Sequence, residues 1–389
     1  MRGWRLHRYV ERKRHVVFCR KLLRRKNRAK AKDRFRALSQ FRLGKDEFEY
    51  AVFANSKGFQ KPDGVAGNFQ SGDLIIKMPQ VMDFAKNYSK AAKIFQIFRR
   101  ALLCRKRIAY IDFSKMKEIS PACITVLCCY ADLWKRHSQS HRLRACTWTW
   151  RPGIMKQFKE IGFFEILNLE VPDCTDDGQG EKSFMGLRRY FVDSMELESV
   201  GKEIKAIRHE IENFVGRTLN RLVMYQSVSE AITNIYQHAY SNATKSLSKK
   251  WWLSVSYDKN DAELGIIVFD HGLGIPNTMG NSSKFRKYRD IFLKMKTKWS
   301  EAKRLELAFE RKRNRHGRLR SKLEGRGNGC GDIVELISNC RHGREGSSLF
   351  VVSSKAQYRY VDTDVGRRGA ASANDVALQG TLIEWKIKL

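Results

Sequence analysis

The sequence predicts an α/β chain in two globular units, a small α/β layer in the first half and an α/β sandwich in the second. Two observations carry that expectation. Between residues 73 and 162 short apolar runs alternate with segments of helical periodicity, the pattern of strands and helices in one layered unit. From residue 194 two long helical patterns precede strand-like runs interrupted by glycine-rich turns, which predicts helices over one face of a mixed sheet. A chain of 389 residues, 42% of them hydrophobic, is long enough to give each unit its own core.

The elements follow in order. Residues 74–76 read as a short strand and 81–103 as a helix ending in basic residues; 108–113 read as a buried strand. A helix over 124–134, a strand over 145–150 and a helix over 154–161, closed by Gly162, complete the first unit. The acidic, Gly-containing stretch 173–181 marks a linker. In the second unit helices are predicted over 194–214 and 220–240, and strands over 251–257 and 264–269. A long basic, mostly helical insertion covers 284–322. A glycine-rich turn, a helix over 332–338 and strands over 347–353 and 381–388 close the chain. The division is therefore a basic arm at 1–45, an α/β layer at 46–175, a linker at 176–193 and a second unit at 194–389.

The charge balance narrows the partners. Lys+Arg number 75 against 41 Asp+Glu, a net charge of +34, and such a surplus concentrates polyanions around a protein. Nucleic acid, an acidic protein and anionic lipid are the classes it admits. Before Leu43 the only acids are Glu11 and Asp33, while Leu22, Leu23, Phe35 and Leu38 interrupt the basic run. A basic amphipathic helix and a solvated tail both fit that pattern. No apolar run has the length of a bilayer crossing, and the N-terminus is too basic and broken for a secretory segment. No membrane span is expected, and a cytoplasmic location is. The nine cysteines are scattered without a CxxC pair, which reads as buried thiols rather than zinc ligands.

Three segments of the second half carry the chemistry. In Glu230-Ala-Ile-Thr-Asn234-Ile-Tyr-Gln-His238, residues four apart lie on one helical face about 6 Å apart along the axis. Glu230, Asn234 and His238 are therefore expected along one edge, where a carboxylate beside a carboxamide can hold a water and a hard cation such as Mg²⁺. A solvated polar stripe is the alternative. In Val268-Phe-Asp270-His-Gly272-Leu-Gly274-Ile275-Pro276, a buried strand ends in an Asp and turns through two glycines. The Asp can accept from an exocyclic amine, and the glycines let backbone approach a flat ring; a plain turn is the alternative. In Gly325-Arg326-Gly327-Asn328-Gly329-Cys330-Gly331, alternating glycines before a helix can cradle phosphate, and Arg326 can pair with a γ-phosphate.

In order and spacing these segments resemble the N, G1 and G2 boxes of the GHKL ATPases, the superfamily of histidine kinases, gyrase-type topoisomerases, mismatch-repair ATPases and anti-sigma kinases. Gly380-Thr381-Leu-Ile-Glu-Trp is similar to the last box. The resemblance implies a Bergerat-type sandwich that binds ATP and Mg²⁺. Glu230 matches the general base, Asn234 the Mg²⁺ ligand and Asp270 the adenine acceptor. Gly272, Gly274 and Ile275 match the ring contacts, Gly327 and Gly329 the phosphate turn, and Thr381 a further adenine contact. His238 and Arg326 join the implied nucleotide contacts. The helix is nearest to that of the anti-sigma serine kinases, with Cys330 standing where a Leu is usual. Residues 280–325 fall where this superfamily places its ATP lid.

The stretch 73–169 resembles a STAS domain on Ile111-Asp-Phe-Ser-Lys-Met-Lys-Glu-Ile-Ser-Pro-Ala-Cys-Ile-Thr-Val-Leu127, although Ala122 stands at that family's phosphoacceptor serine. His209-Glu-Ile-Glu-Asn is similar to a histidine-kinase phosphoacceptor box, but lies too near Glu230 to leave room for a dimerisation hairpin. Two function classes remain: an enzyme that hydrolyses ATP or passes its γ-phosphoryl to a partner protein, and a nucleotide-gated module whose basic arm and lid engage nucleic acid or an acidic partner. A homodimer is compatible with either.

Overall fold

The computed structural model describes residues 43–54, 59, 61, 68–69, 73–103, 108–137, 144, 150–171, 182–192, 197–240, 249–278, 299–309, 329–338, 346–363 and 366–389. Among them the architecture is mixed α/β, with three sheets. The expectations for the arm, for the strand at 145–149 and for most of the 280–325 insertion lie outside the described residues.

In the first half β1 (Ala51–Phe53) pairs antiparallel with β2 (Leu74–Lys77), which runs parallel to β4 (Ile108–Asp112). β3 (Val81–Met82) and β5 (Glu118–Ile119) form a second, parallel pair. Residues 81–82 are thus strand, not the start of the expected helix. α1 (Phe84–Leu103) begins after Asp83, whose Oδ1 accepts the Ala85 and Lys86 amides at 2.6 and 3.3 Å, pairing first-turn N–H groups that a helix leaves open.

α2 (Pro121–His137) extends three residues beyond each expected end, and α3 (Pro152–Glu160) and α4 (Phe163–Leu167) follow it. Every residue of α2 from 121 to 134 is buried, which explains why its apolar residues run round the helix instead of along one stripe. On one side Tyr130 stacks on Phe95 at 5.5 Å. The other side meets the large sheet of the second half.

That sheet has the order β6 (Lys182–Phe191), β7 (Lys250–Asp258), β8 (Glu263–Asp270), β10 (Gly366–Lys388), β9 (Ser348–Thr363). All its pairs are antiparallel, so the expected mixed sheet is corrected. β6 occupies what the sequence reads as linker: its alternating burial and basic residues give a weak strand signal, and pairing with β7 makes it an edge strand. β9 and β10 form a hairpin much longer than the two short strands expected. Small and polar residues over 369–375 carry no hydrophobic alternation there, and ladder hydrogen bonds hold the hairpin instead.

Both faces of the sheet are covered. Trp251, Leu253, Val255, Ile266, Val268, Val351, Ile383 and Trp385 face α5 (Leu197–Val215), α6 (Arg221–Asn234), α8 (Glu301–Phe309) and α9 (Glu335–Ser338). Their neighbours Trp252, Ile267, Phe269, Phe350, Val352 and Leu382 join the core of the first half. Burial on two sides explains why β7 and β8 read as continuous apolar runs. Each such side chain stabilises by roughly 1.5–3 kcal/mol when fully buried.

Polar contacts pin α2 to this face. The Thr125 and Ser254 hydroxyls meet at 2.5 Å, and the Lys250 ammonium lies 3.0 Å from the Asp132 carboxylate with both side chains under 5% exposed. Arg189 adds a second cation to Asp132 at 2.5 Å. The hairpin is held as well, since Tyr88 Oη donates to the Val376 carbonyl and Gln96 Nε2 to the Ala377 carbonyl at 3.0 and 3.2 Å. Among the described residues no helix is long and apolar enough to cross a membrane.

Candidate functional site

Asp270 ends β8 between Trp251 of β7 and Thr381 of β10. Its side chain is buried. Oδ1 accepts the Gly272 amide at 2.6 Å, and the Thr381 amide bonds the carboxylate too. Burial pushes the carboxyl up to about 7 despite these bonds, because removing a carboxylate from water disfavours its charge.

The turn after Asp270 is packed so tightly that glycine is required. A Cβ on Gly272 would lie 2.6 Å from both the Ala239 Cβ and its carbonyl oxygen. Gly274 has φ +85, in the left-handed region that favours glycine, and a Cβ there would stand 3.0 Å from Ser353 Oγ. Ser353 then ties three pieces together. Its Oγ accepts the Ile275 amide at 2.8 Å and lies 3.0 Å from Thr381 Oγ1. Ile275 itself opens α7 (Ile275–Thr278), a single short turn.

α6 approaches the same turn from above the sheet. Asn220 caps it, Oδ1 accepting from the Val223 amide at 3.3 Å. After Asn234 the chain passes into a π turn, Ile235–Ala239, so the α-helical spacing expected through His238 stops at Asn234. Glu230 and Asn234 remain one α turn apart and half-buried; His238 sits on the π turn, also half-buried. The wider turn delivers Ala239 to the Asp270 loop, where its carbonyl accepts the Leu273 amide at 2.9 Å. Such π turns recur at functional sites. Next to it, Tyr240 Oη donates to the Lys250 carbonyl and accepts the His271 amide at 3.0 Å.

His271 points the other way, into the α2 interface, with its ring 4.8 Å from that of Tyr130 and 5.2 Å from that of Trp252. Burial pulls its pKa down to about 3, which keeps the imidazole neutral.

The third segment packs against α6. Gly329–Val334 is a 3-10 turn leading into the short α9, a tighter and more broken element than the single helix expected. Trp385 Nε1 donates to the Ile333 carbonyl at 2.8 Å and fixes it to the sheet. Ser227 Oγ donates to the Asp332 carbonyl at 2.7 Å, and Asn234 Nδ2 lies 3.9 Å from Cys330 Sγ. The Cys330 thiol is raised to about 12 by burial and by the nearby Glu230 charge. Glu230, Asn234 and Cys330 therefore lie close together. Arg326 and Gly327 lie outside the described residues.

The structure thus brings Asp270, Gly272, Gly274, Ile275 and Thr381 into one hydrogen-bonded loop cluster, with the α6 segment bearing Glu230 and Asn234 tied to it through Ala239. Sequence reasoning missed Ser353, a small hydroxyl inside an apolar strand run with nothing nearby to single it out. It also left Gly380, with φ +96, out of the site. A bulged stretch of β10 between Ala373 and Thr381 precedes the site, and Ser354 across from it has φ 56. Bulges of this kind re-aim side chains next to binding sites. Models of known protein families gave no match to the chain, and neither did curated protein sequences.

Proposed function

We propose that this protein binds ATP with Mg²⁺ in the groove between α6, the Asp270 turn and the Gly329–Val334 turn, as the GHKL ATPases do that its motifs resemble. The observation that carries the reading is a carboxylate buried at a strand end and fenced by glycines whose Cβ positions are already filled. An exocyclic amino group is what such an acceptor can bond, and the glycines let the chain turn closely enough to hold the carboxylate in place.

The residues present fit that cofactor. With Nδ2 turned toward Cys330, the Asn234 carboxamide directs its oxygen elsewhere, and oxygen is the donor a hard cation takes. Among the described residues no group of three or more His, Cys, Asp or Glu could hold a metal ion. A cation at Asn234 would therefore draw its other ligands from water and phosphate, the habit of Mg²⁺. Arg326, Gly327 and Gly329 would complete the phosphate contacts.

When bound, ATP supplies a γ-phosphoryl group for water or for a hydroxyl of a partner protein. Glu230 would accept a hydrogen bond from that nucleophile and align it, Asn234 would hold the cation, and the packed Asp270 turn would keep the adenine in place. Positioning and charge stabilisation of this kind do most of the work of phosphoryl transfer. The net charge of +34 favours a second reading, in which nucleotide binding gates contact with nucleic acid or an acidic protein and turnover is slow.

Glu230→Ala distinguishes them. The enzyme reading predicts retained Mg²⁺-ATP binding and single-turnover consumption slowed by at least about 100-fold, the usual contribution of a positioned base. Unchanged turnover would remove Glu230 from catalysis and leave the gated module.

A further inference from the structure

The stretch of β10 that runs into the Asp270 turn is not fixed by its β-ladders. Ala373 pairs with Ala356, Leu378 with Ser354 and Thr381 with Ser353. Residues 374–377 therefore stand opposite the single residue Lys355, and residues 379–380 opposite none. On the other side, pairing with β8 begins only where Thr381 meets Asp270. Backbone left out of a ladder needs other partners to hold one conformation.

Those partners come from the first half. Tyr88 Oη donates to the Val376 carbonyl at 3.0 Å and has the Leu378 amide turned toward it. Gln96 Nε2, further along α1, donates to the Ala377 carbonyl at 3.2 Å. The Leu378 side chain, 1% exposed, belongs to the core of the first half. At its other end the stretch meets the Asp270 turn three times. Gln379 Nε2 donates to the Gly272 carbonyl at 2.7 Å, the Gln379 carbonyl takes a ring N–H of His271, and Gly380 packs on the Asp270 backbone.

We propose that Tyr88 and Gln96 are positioning residues for the nucleotide site: they hold residues 376–378 in the one conformation that brings Gln379, Gly380 and Thr381 against the Asp270 turn. The inference rests on the nucleotide reading and extends it, giving the first half a part in nucleotide affinity that needs no contact of its own with the ligand. Adhesion between the halves does not explain these bonds. Adhesion is supplied by α2, through Thr125 with Ser254 and Asp132 with Lys250. The α1 donors instead meet two consecutive backbone carbonyls where the ladder is interrupted. Buried carbonyls are seldom left unpaired, so losing either donor frees the stretch to turn toward another partner, and Gln379 moves with it.

Calorimetric titration of Mg²⁺-ADP into the full chain reads the effect without turnover. Tyr88→Phe, which keeps the shape of the ring, should weaken binding about fivefold, the value of one hydrogen bond. Gln96→Ala and Gln379→Ala should each do the same. The double variant Gln96→Ala/Gln379→Ala should lose no more than the larger single loss, because both residues act through one stretch of chain. Arg100→Ala removes a 2.5 Å ion pair between α1 and Glu47 and should leave affinity within about twofold; a merely structural role for α1 would make it weaken binding like the others. Wild-type affinity in Tyr88→Phe and Gln96→Ala, additive losses in the double variant, or an equal loss in Arg100→Ala would overturn the proposal and leave the nucleotide site standing. A folded wild type that binds no Mg²⁺-ADP would overturn both.

Discussion

Gly380 packs directly on the backbone of Asp270: a Cβ on it would fall far inside van der Waals contact distance of the Asp270 carbonyl oxygen, and its φ of +96 lies where side-chain-bearing residues are strained. The last motif of the chain is therefore a structural support of the second. Gly380→Ala should destabilise the protein by at least about 1–2 kcal/mol from the backbone conformation alone, and more from the overlap. It should also weaken adenine-nucleotide binding. Urea denaturation followed by nucleotide titration at low temperature measures both, and an unchanged midpoint would contradict the packing described.

Asp270 predicts a pH dependence. Burial holds its carboxyl near 7, and the ionised form is the stronger acceptor for an amine. Nucleotide affinity should fall as pH drops below about 7, approaching tenfold per unit; affinity constant between about pH 6 and 8 would remove the ionised Asp270 from recognition. Stability of the ligand-free protein carries the opposite sign. The folded-state pKa is raised, so the group's contribution is present at acid pH, below the ordinary 3.8, and is lost as pH rises through about 7. Melting temperatures across that window should decline for wild type relative to Asp270→Asn.

The Asp132–Lys250 pair joins the two halves inside the protein. Removing one member of a buried pair costs about 3–5 kcal/mol when the other is left uncompensated. Asp132→Ala strands Lys250 without this carboxylate and should approach that loss. Lys250→Met leaves Asp132 with Arg189 at 2.5 Å and should cost clearly less. Equal losses in chemical denaturation would mean that Arg189 gives Asp132 no useful compensation.

The charge surplus predicts salt-sensitive polyanion binding. If the chain contacts 6–10 phosphates of a DNA duplex, affinity should fall about 10³–10⁵-fold between roughly 50 and 200 mM salt. Fluorescence anisotropy of a labelled duplex reads this directly. Binding that ignores salt, or none, would remove nucleic acid from the partners.

What was legible in the sequence depended on period and on glycine. The buried runs at 251–257 and 264–269 announce strands, and Asp270 at the end of one with Gly272 and Gly274 behind it marks a tight turn; the structure has both. Contacts distant along the chain were not legible. Nothing local to Ser353 says that its hydroxyl will meet Thr381, and nothing in the α6 pattern signals a π turn at Ile235. β6 and the outer part of the β9–β10 hairpin were missed because polar edge strands owe their existence to pairing rather than to hydrophobic alternation. The continuous burial of α2 became intelligible only when the sheet of the second half was found against it.

The most direct test of the nucleotide reading is calorimetric titration of Mg²⁺-ATP into the purified protein and into Asp270→Asn. The account predicts one Mg²⁺-dependent site in the wild type and loss of that binding in a variant that remains folded. A folded wild type that takes up no adenine nucleotide, or a variant that binds as well as the wild type, would contradict it.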